Sequence, residues 1–406
     1  MTVVTRPMKR LLFPLLGGLA GLAGAAEPAS PAAAFAAGKF SLNLRLRYES
    51  VEQTGLRDAD ALTLRTRVGF APAPWQGFKA FVEAEDVTAA DGDSYSQSGL
   101  NPGGAGRAVI ADPETTELNQ LYLAYTRDHT TVTVGRQRLV LDNARFIGDV
   151  AWRQNMQTFD AVVLQDQTLD QTTLTYAYLS QVNRVFGDRH PQGKFASHSQ
   201  LFNASYRGWS GGTLTGYVYL LDFHNSAANS CATTGASLAG AVPVTPKVKF
   251  AYRVEAATQS DYGSSPLSYT ARYHVVEAGL THAAGSLTLG DELLGSDHNV
   301  GFKTPLATLH AFNGWADLFL ATPAGGLDDR YVKATANLPG ALALVTSYHW
   351  YESDVNAVRL GHEFNLQLSR KLTPALTALV KFADFRRESP AFPDVQKSWV
   401  QLEYVY

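Results

Sequence analysis

Arginine at alternate positions is the most chemically suggestive pattern in this chain. Arg45-Leu-Arg47 and Arg65-Thr-Arg67 each set two guanidinium groups two residues apart, the spacing that aims both at one face of an extended strand. Arg136 and Arg138 repeat it, and Arg145 and Arg153 bracket, with them, the segment 142–157. Guanidinium keeps its charge at every relevant pH and offers a flat fork to carboxylates. A wall of such groups would pass an anion from site to site, as charged rings do in selective pores. Glu83 and Glu85 could instead pair with Arg67 and Arg65 across a hairpin and neutralise them. The sign of the wall depends on which charges stay unpaired.

Other candidate chemistry is weaker. Gly208-Trp-Ser210-Gly-Gly212 matches the nucleophile elbow of hydrolases, but that motif works only on a strand-to-helix turn. Here it joins two strand-like runs and reads as a tight turn whose glycines supply positive φ. Asp91-Gly-Asp93 could offer oxygens to Ca²⁺, yet no full ligand loop follows. The ten histidines form no metal-binding spacing, so neither a metal nor another cofactor is expected, and no catalytic residue is assigned. One cysteine, Cys231, excludes an internal disulfide. Phe312-Asn-Gly-Trp315 lies in the longest connection, where its rings either pack that loop inward or stack on a sugar.

The elements that must position the arginines are strands. Phe40, Leu42, Leu44, Leu46 and Tyr48 alternate with Ser41, Asn43, Arg45, Arg47 and Glu49, a two-residue period with one apolar and one polar face. The split recurs at 62–70, 248–256, 360–369 and 376–382. Connections of two kinds follow strictly in turn. Eight are short: 72–77, 128–129, 167–170, 209–212, 243–246, 283–285, 339–340 and 371–374. Nine belong to the other kind: 52–60, 88–116, 142–157, 183–198, 224–229, 260–268, 297–328, 353–357 and 387–396. Short turns on one side and longer loops on the other are the grammar of a transmembrane β-barrel. The expected fold is therefore all-β, an antiparallel transmembrane barrel of about eighteen strands with both termini periplasmic. The strand at 230–241 is poor in large apolar residues, and the faces of 269–282 resist assignment; losing one hairpin would give sixteen.

Both ends of the chain agree with that reading. Arg6, Lys9 and Arg10 precede an apolar run from Leu11 to Gly24 and a small-residue site near Ala25 or Ala26, so residues 1–26 read as a signal peptide. Residues 27–38 form a short periplasmic segment and 39–406 the single barrel. Removing the leader's three cations from 34 leaves 31 Lys and Arg against 37 Asp and Glu, an acidic balance that argues against nucleic acid. Any attraction for anions must be local. Beyond the leader no apolar run is long enough to cross a membrane as a helix. The last strand, Ser398 to Tyr406, keeps Val400, Leu402, Tyr404 and Tyr406 on one face. It resembles the terminal aromatic signature through which outer-membrane barrels are recognised by their assembly machinery, with Tyr in place of the usual Phe.

The order and spacing of several short motifs resemble the alginate-export family of outer-membrane channels. They are Arg65-Thr-Arg67-Val-Gly-Phe70, Glu83-Ala-Glu85-Asp86, the run from Ala111 to Gln120, Gly135-Arg-Gln-Arg138 through Asn143, Trp152-Arg-Gln-Asn155, Thr158-Phe-Asp160, Leu294-Gly-Ser-Asp297, and Thr304 to Asp317. The resemblance implies an eighteen-stranded channel with an electropositive pore for an anionic polysaccharide. The expected function is thus a channel in the outer membrane of a Gram-negative bacterium, without enzymatic turnover. It would pass an acidic oligo- or polysaccharide, or another small anion, along Arg45, Arg47, Arg65, Arg67, Arg136, Arg138, Arg145 and Arg153. Its expected partners are membrane lipid, the barrel assembly machinery and the saccharide cargo. The rivals are a barrel-embedded hydrolase, a general or uptake porin for organic solutes, and a structural barrel with a sealed lumen.

Overall fold

A computed structural model of the protein describes residues 27–406, so the signal-peptide assignment lies outside the described residues. After a short helix, α1 (Pro31–Ala36), the chain is almost all sheet. The first half runs β1 (Lys39–Gln53), β2 (Ala59–Ala71), β3 (Phe78–Ala89), β4 (Thr115–Arg127), β5 (Thr130–Gln137), β6 (Thr158–Asp166), β7 (Thr172–Asn183), β8 (Lys194–Trp209) and β9 (Gly212–Leu221). The second half runs β10 (Cys231–Pro243), β11 (Lys249–Asp261), β12 (Thr270–His282), β13 (Gly285–Leu294), β16 (Leu327–Leu338), β17 (Leu342–Glu352), β18 (Arg359–Lys371), β19 (Leu376–Arg387) and β20 (Val395–Val405). Between β13 and β16, the two-residue strands β14 (Ser296–Asp297) and β15 (Val300–Gly301) make a separate ladder within the longest loop.

Every one of the eighteen long strands pairs antiparallel with its neighbour in sequence, and β1 pairs with β20 from Asn43↔Val405 to Gln53↔Val395. The sheet therefore closes with no free edge, the form in which strands can satisfy every backbone group inside lipid. Eighteen strands, not sixteen, is the outcome. The two doubtful segments are the full strands β10 and β12. Both ends of the barrel chain lie at the short-turn end, where the Ala73 amide donates to the Ala34 carbonyl of α1 at 2.9 Å.

The two faces sort as alternation requires. Leu46, Leu64, Val68, Val400 and Leu402 are each about two-fifths to half exposed on the outer face, while Arg47, Arg65, Glu49 and Trp399 are at most 1% exposed inside. An exposed apolar belt of this extent suits lipid rather than water. Among the described residues no helix is long and apolar enough to cross a membrane. The turn at Gly208 to Gly212 is a tight hairpin joining β8 to β9. None of its glycines has positive φ, contrary to expectation; instead a Cβ on Gly212 would run into the Ala239 carbonyl oxygen of β10, so close strand approach selects glycine there.

Sidedness gives a direct test. In otherwise cysteine-free protein on intact cells, single cysteines at exposed Val109 and Val355 in the loops are expected to react with a membrane-impermeant thiol reagent. Cysteines at exposed Val244 and Leu372 in the turns are expected to stay unlabelled until the membrane is breached. Equal labelling of both pairs would contradict periplasmic turns and termini.

Candidate functional site

The lumen is not an open tube. Loops 138–157 and 295–326 fold inward, and buried aromatic residues from both meet the wall. Phe146 packs on Tyr217 of β9, Tyr273 of β12 and Phe302 with ring centroids 5.4, 5.2 and 6.0 Å apart. This apolar plug explains why the inward faces of β9 and β12 carry Tyr217, Tyr219, Tyr273 and Val275 where they meet it. Opposite it, on β1, β2, β19 and β20, inward positions are charged, and here the loops are held by side chains.

Arg45 and Arg47 point inward on β1 and grip the 138–157 loop by its backbone. Arg45 Nη1 donates to the carbonyls of Ala151, Trp152 and Arg153 at 3.0, 3.2 and 3.3 Å. Arg47 Nη2 donates to Trp152 O at 2.6 Å and its guanidinium lies 4.1 Å over the Trp152 ring. On β2, Arg67 donates to Gln154 O at 3.1 Å and pairs with Glu85. The expected pairing is shifted: Arg67 meets Glu85 rather than Glu83, which lies opposite Gly69, and Arg65, opposite Val87, bonds to neither carboxylate. Arg65 turns instead to Asn43 and to Glu403 of β20, 3.0 Å away. Glu403 also accepts from Arg45 at 3.0 Å, while Glu83 is held by Asn119 and Gln120.

Arg153 itself is the hub of the inserted loops. It donates to Glu49 of β1 at 3.1 Å and to Asp317 of the 295–326 loop at 2.7 Å, with Asp112 at 3.8 Å. Arg145, 2% exposed, pairs with Glu292 of β13 at 2.7 Å and donates to Asn313 at 2.9 Å. Arg138 lies just past the end of β5 and binds Asp149.

Arg136 departs from the expected lining. Its ladder partners are Leu121, half exposed on the outer face, and Asp160, to which it donates twice at 2.7 and 3.0 Å. Directly paired residues share a face, so Arg136 lies outside with Leu121 and Val134. The two-residue spacing of Arg136 and Arg138 does not put both inside, because the strand ends between them.

Two lysines complete this network. Lys381 of β19 and Lys397 of β20 are buried in the same wall. Lys397 Nζ donates to Asp317 at 2.9 Å. Lys381 Nζ lies 3.6 Å from the Trp315 ring centroid, 4.1 Å from that of Trp152, and 2.7 Å from His310 Nε2. His310 stacks on Trp152 at 4.6 Å and sits 2.7 Å from Asp317 Oδ1 through Nδ1. A neutral ring that donates from Nδ1 to Asp317 and accepts from Lys381 at Nε2 satisfies every partner. Burial keeps His310 well below the usual histidine range. Burial alone would raise Asp317, but facing His310, Lys397 and Arg153 hold it well below the carboxylate range. The inward parity of Lys381 and Lys397 was readable; closure beside β1 made it matter.

Phe312 to Trp315 therefore packs the loop inward. Asn313 Nδ2 donates to Glu292 and Asp329 at 2.7 and 3.1 Å, and the Trp315 and Ala316 amides both donate to Glu363 of β18. Seven cations (Arg45, Arg47, Arg65, Arg67, Arg153, Lys381, Lys397) face five carboxylates (Glu49, Glu85, Asp112, Asp317, Glu403) in this sector. Adding Glu83 leaves the sum positive.

A family model described as alginate export matches residues 37–282, more than half of the chain. No curated protein matches. Among solved structures, OccAB3 of Acinetobacter baumannii superposes with a TM-score of 0.72 at 15% identity, covering 91% of this chain and 99% of that one. OccK8 (OprE) of Pseudomonas aeruginosa gives 0.70 at 13%, covering 92% and 98%. The outer membrane protein opdK of the same organism gives 0.69 at 13%, covering 91% and 99%. Likeness at these identities is likeness of fold.

Proposed function

The chain belongs to the alginate-export family and is an outer-membrane channel, and from that premise we propose that its cargo is anionic: an acidic oligosaccharide or another small organic anion. The observation that carries this reading is the excess of cations over carboxylates on the β1, β2, β19 and β20 wall. Most of these groups also serve as loop anchors, yet an anchored guanidinium keeps its full charge and its field in the pore. An anion entering the lumen exchanges hydration for that field and moves past successive cations by diffusion. The inserted loops narrow the route, so a short cargo passes with the loops docked, whereas a polymer needs the 295–326 loop to move.

The test is a reversal potential. Purified protein in a planar bilayer under a salt gradient is expected to show the anion-selective sign, opposite to what its acidic bulk charge suggests. Raising both sides toward about 1 M salt, where the Debye length is about 3 Å, should weaken the preference. Arg67→Gln alone frees Glu85, so its effect mixes lost cation with gained anion; Arg67→Gln with Glu85→Gln removes both. Matching selectivity in that double variant and the wild type makes Arg67 an anchor only. A cation-selective wild type overturns the anionic cargo.

A further inference from the structure

The strand poor in large apolar residues, β10, marks a feature of the outer wall that the pore does not use. Ala236 of β10 pairs with Gly216 of β9 and Ala256 of β11, and Gly216 pairs with Ala204 of β8. Directly paired residues share a face. This one is the lipid face, because Phe202 and Leu214, each two residues away on the same strands, are 43% and 50% exposed. Four small residues thus lie in a row across four strands, about 14 Å from end to end at the usual strand spacing. Rows of larger side chains bound it: Tyr176, Phe202 and Val218 on one side, Tyr206, Leu214 and Leu238 on the other. Rows on one face are about 7 Å apart, so the trough is one hydrocarbon chain wide. Toward the short-turn end Leu164, Leu174, Phe202 and Gly216 line a groove of about 470 Å³, and a Cβ added to Gly216 would meet nothing within 4 Å. Two charges stand at its foot. Arg207 is exposed and makes no ion pair or side-chain hydrogen bond among the described residues; its amide donates to Gln171 O at 2.9 Å, beside the start of β7. Asp166, at the end of β6, lines the groove itself.

We propose that the trough seats one phospholipid of the periplasmic leaflet, with an acyl chain along the floor made by Ala204, Gly216 and Ala236 and a phosphoethanolamine headgroup at Arg207 and Asp166. The seat is independent of the cargo and needs only the outer-membrane setting. It is continuous with the lipid-facing belt, so hydrocarbon is what reaches it. Left empty there, the groove would forfeit dispersion contacts along its whole floor. A second barrel cannot supply them, since a convex wall does not enter a trough one chain wide. Large side chains on β10 would fill the seat, which accounts for their absence. Charge selects the headgroup. Arg207 suits a phosphate and Asp166 an ammonium, and ethanolamine phosphate carries both. A head with phosphate alone meets Asp166, and Asp170 in the following turn, as like charges.

Native mass spectrometry of the full barrel in detergent reads the seat, with phosphatidylethanolamine, phosphatidylcholine and phosphatidylglycerol of matched chains as probes. Phosphatidylcholine has a methylated ammonium that cannot donate a hydrogen bond, and phosphatidylglycerol has no cation. One phosphatidylethanolamine is expected to bind about tenfold more tightly than either, the worth of one charge-assisted contact. Gly216→Leu should weaken that binding roughly tenfold by filling the floor, while Leu289→Phe, on the exposed face of β13, should leave it unchanged. Asp166→Asn should bring phosphatidylethanolamine down to the level of phosphatidylcholine. Equal binding by wild type and Gly216→Leu would place the lipid elsewhere and overturn the seat. Equal binding of the three headgroups by the wild type would overturn it too. A wild-type dimer that Gly216→Leu dissolves would give the trough to a second copy instead. None of these outcomes touches the ion selectivity that tests the channel's cargo.

Discussion

Asp317→Asn is expected to raise single-channel conductance several-fold. Asp317 ties the 295–326 loop to the rest of the lumen, with Arg153, Lys397 and His310 all within 2.9 Å. In the variant Arg153 retains Glu49, but Lys397 loses its one carboxylate partner among the described residues while still buried. Stranding a buried charge costs about 3–5 kcal/mol, more than a hundredfold in the ratio of docked to undocked loop. The loop occupies lumen that ions would otherwise fill, so undocking widens the path. Conductance and current noise read the result, with circular dichroism showing that the barrel is intact. Unchanged conductance in an intact barrel would mean that the remaining anchors hold the loop without Asp317.

Acid should act in the same direction as that substitution. His310 is buried between Trp152, Asp317 and Lys381, with Arg153 and Lys397 binding the same Asp317. Protonation adds a hydrogen at Nε2, pointing at the Lys381 ammonium 2.7 Å away. Because the docked histidine is held below its ordinary value of about 6.5, the undocked loop binds the extra proton first. Docking therefore weakens as pH falls below about 6.5, by at most about tenfold per pH unit in the docked ratio. Asp317 is also depressed; its contribution is complete above the ordinary carboxylate range, declines as pH falls through that range and is gone below its lowered value. From pH 7.5 to 5 the histidine therefore contributes, beside Glu363 of β18, which accepts from the Trp315 and Ala316 amides of the same loop. Conductance should rise over that interval in the wild type and rise less in His310→Asn, which keeps a donor toward Asp317 but cannot protonate. An identical pH profile in the two would assign the titration to another group.

The strand pattern was legible wherever one face met lipid and the other met water. In β2 and β11 every inward position is polar or small enough to break the apolar run, β1 departs from this only at Val51 near its end, and the alternation reads cleanly. It fails in β12, where Tyr273 and Val275 point inward as apolar residues. Tyr273 faces Phe146 and Phe302 of the inserted loops and Val275 belongs to the same buried cluster, a core that exists only after the loops have folded inside. The same limit hid the site. Four arginine positions on β1 and β2 were readable from spacing, and Arg136 was misplaced by the same rule because the end of β5 falls between it and Arg138. Nothing local linked Glu403, Asp317 and His310 to their partners. They are 358, 164 and 71 residues from Arg45, Arg153 and Lys381, their respective partners or neighbours, and only ring closure and loop insertion bring them together.

The seam between β1 and β20 makes the chemistry of the pore depend on the order of synthesis. Arg45 and Arg65 emerge among the first strands, yet the carboxylate they share, Glu403, is three residues from the end of the chain. Until the last strand docks, two guanidiniums on adjacent strands face each other with no common counter-ion, and Lys397, which fixes Asp317, is absent too. A half-built barrel therefore cannot settle its loops. The channel acquires a finished interior in the same event that seals its wall, so an unsealed molecule has no electrostatic reason to hold the loop geometry of the completed one.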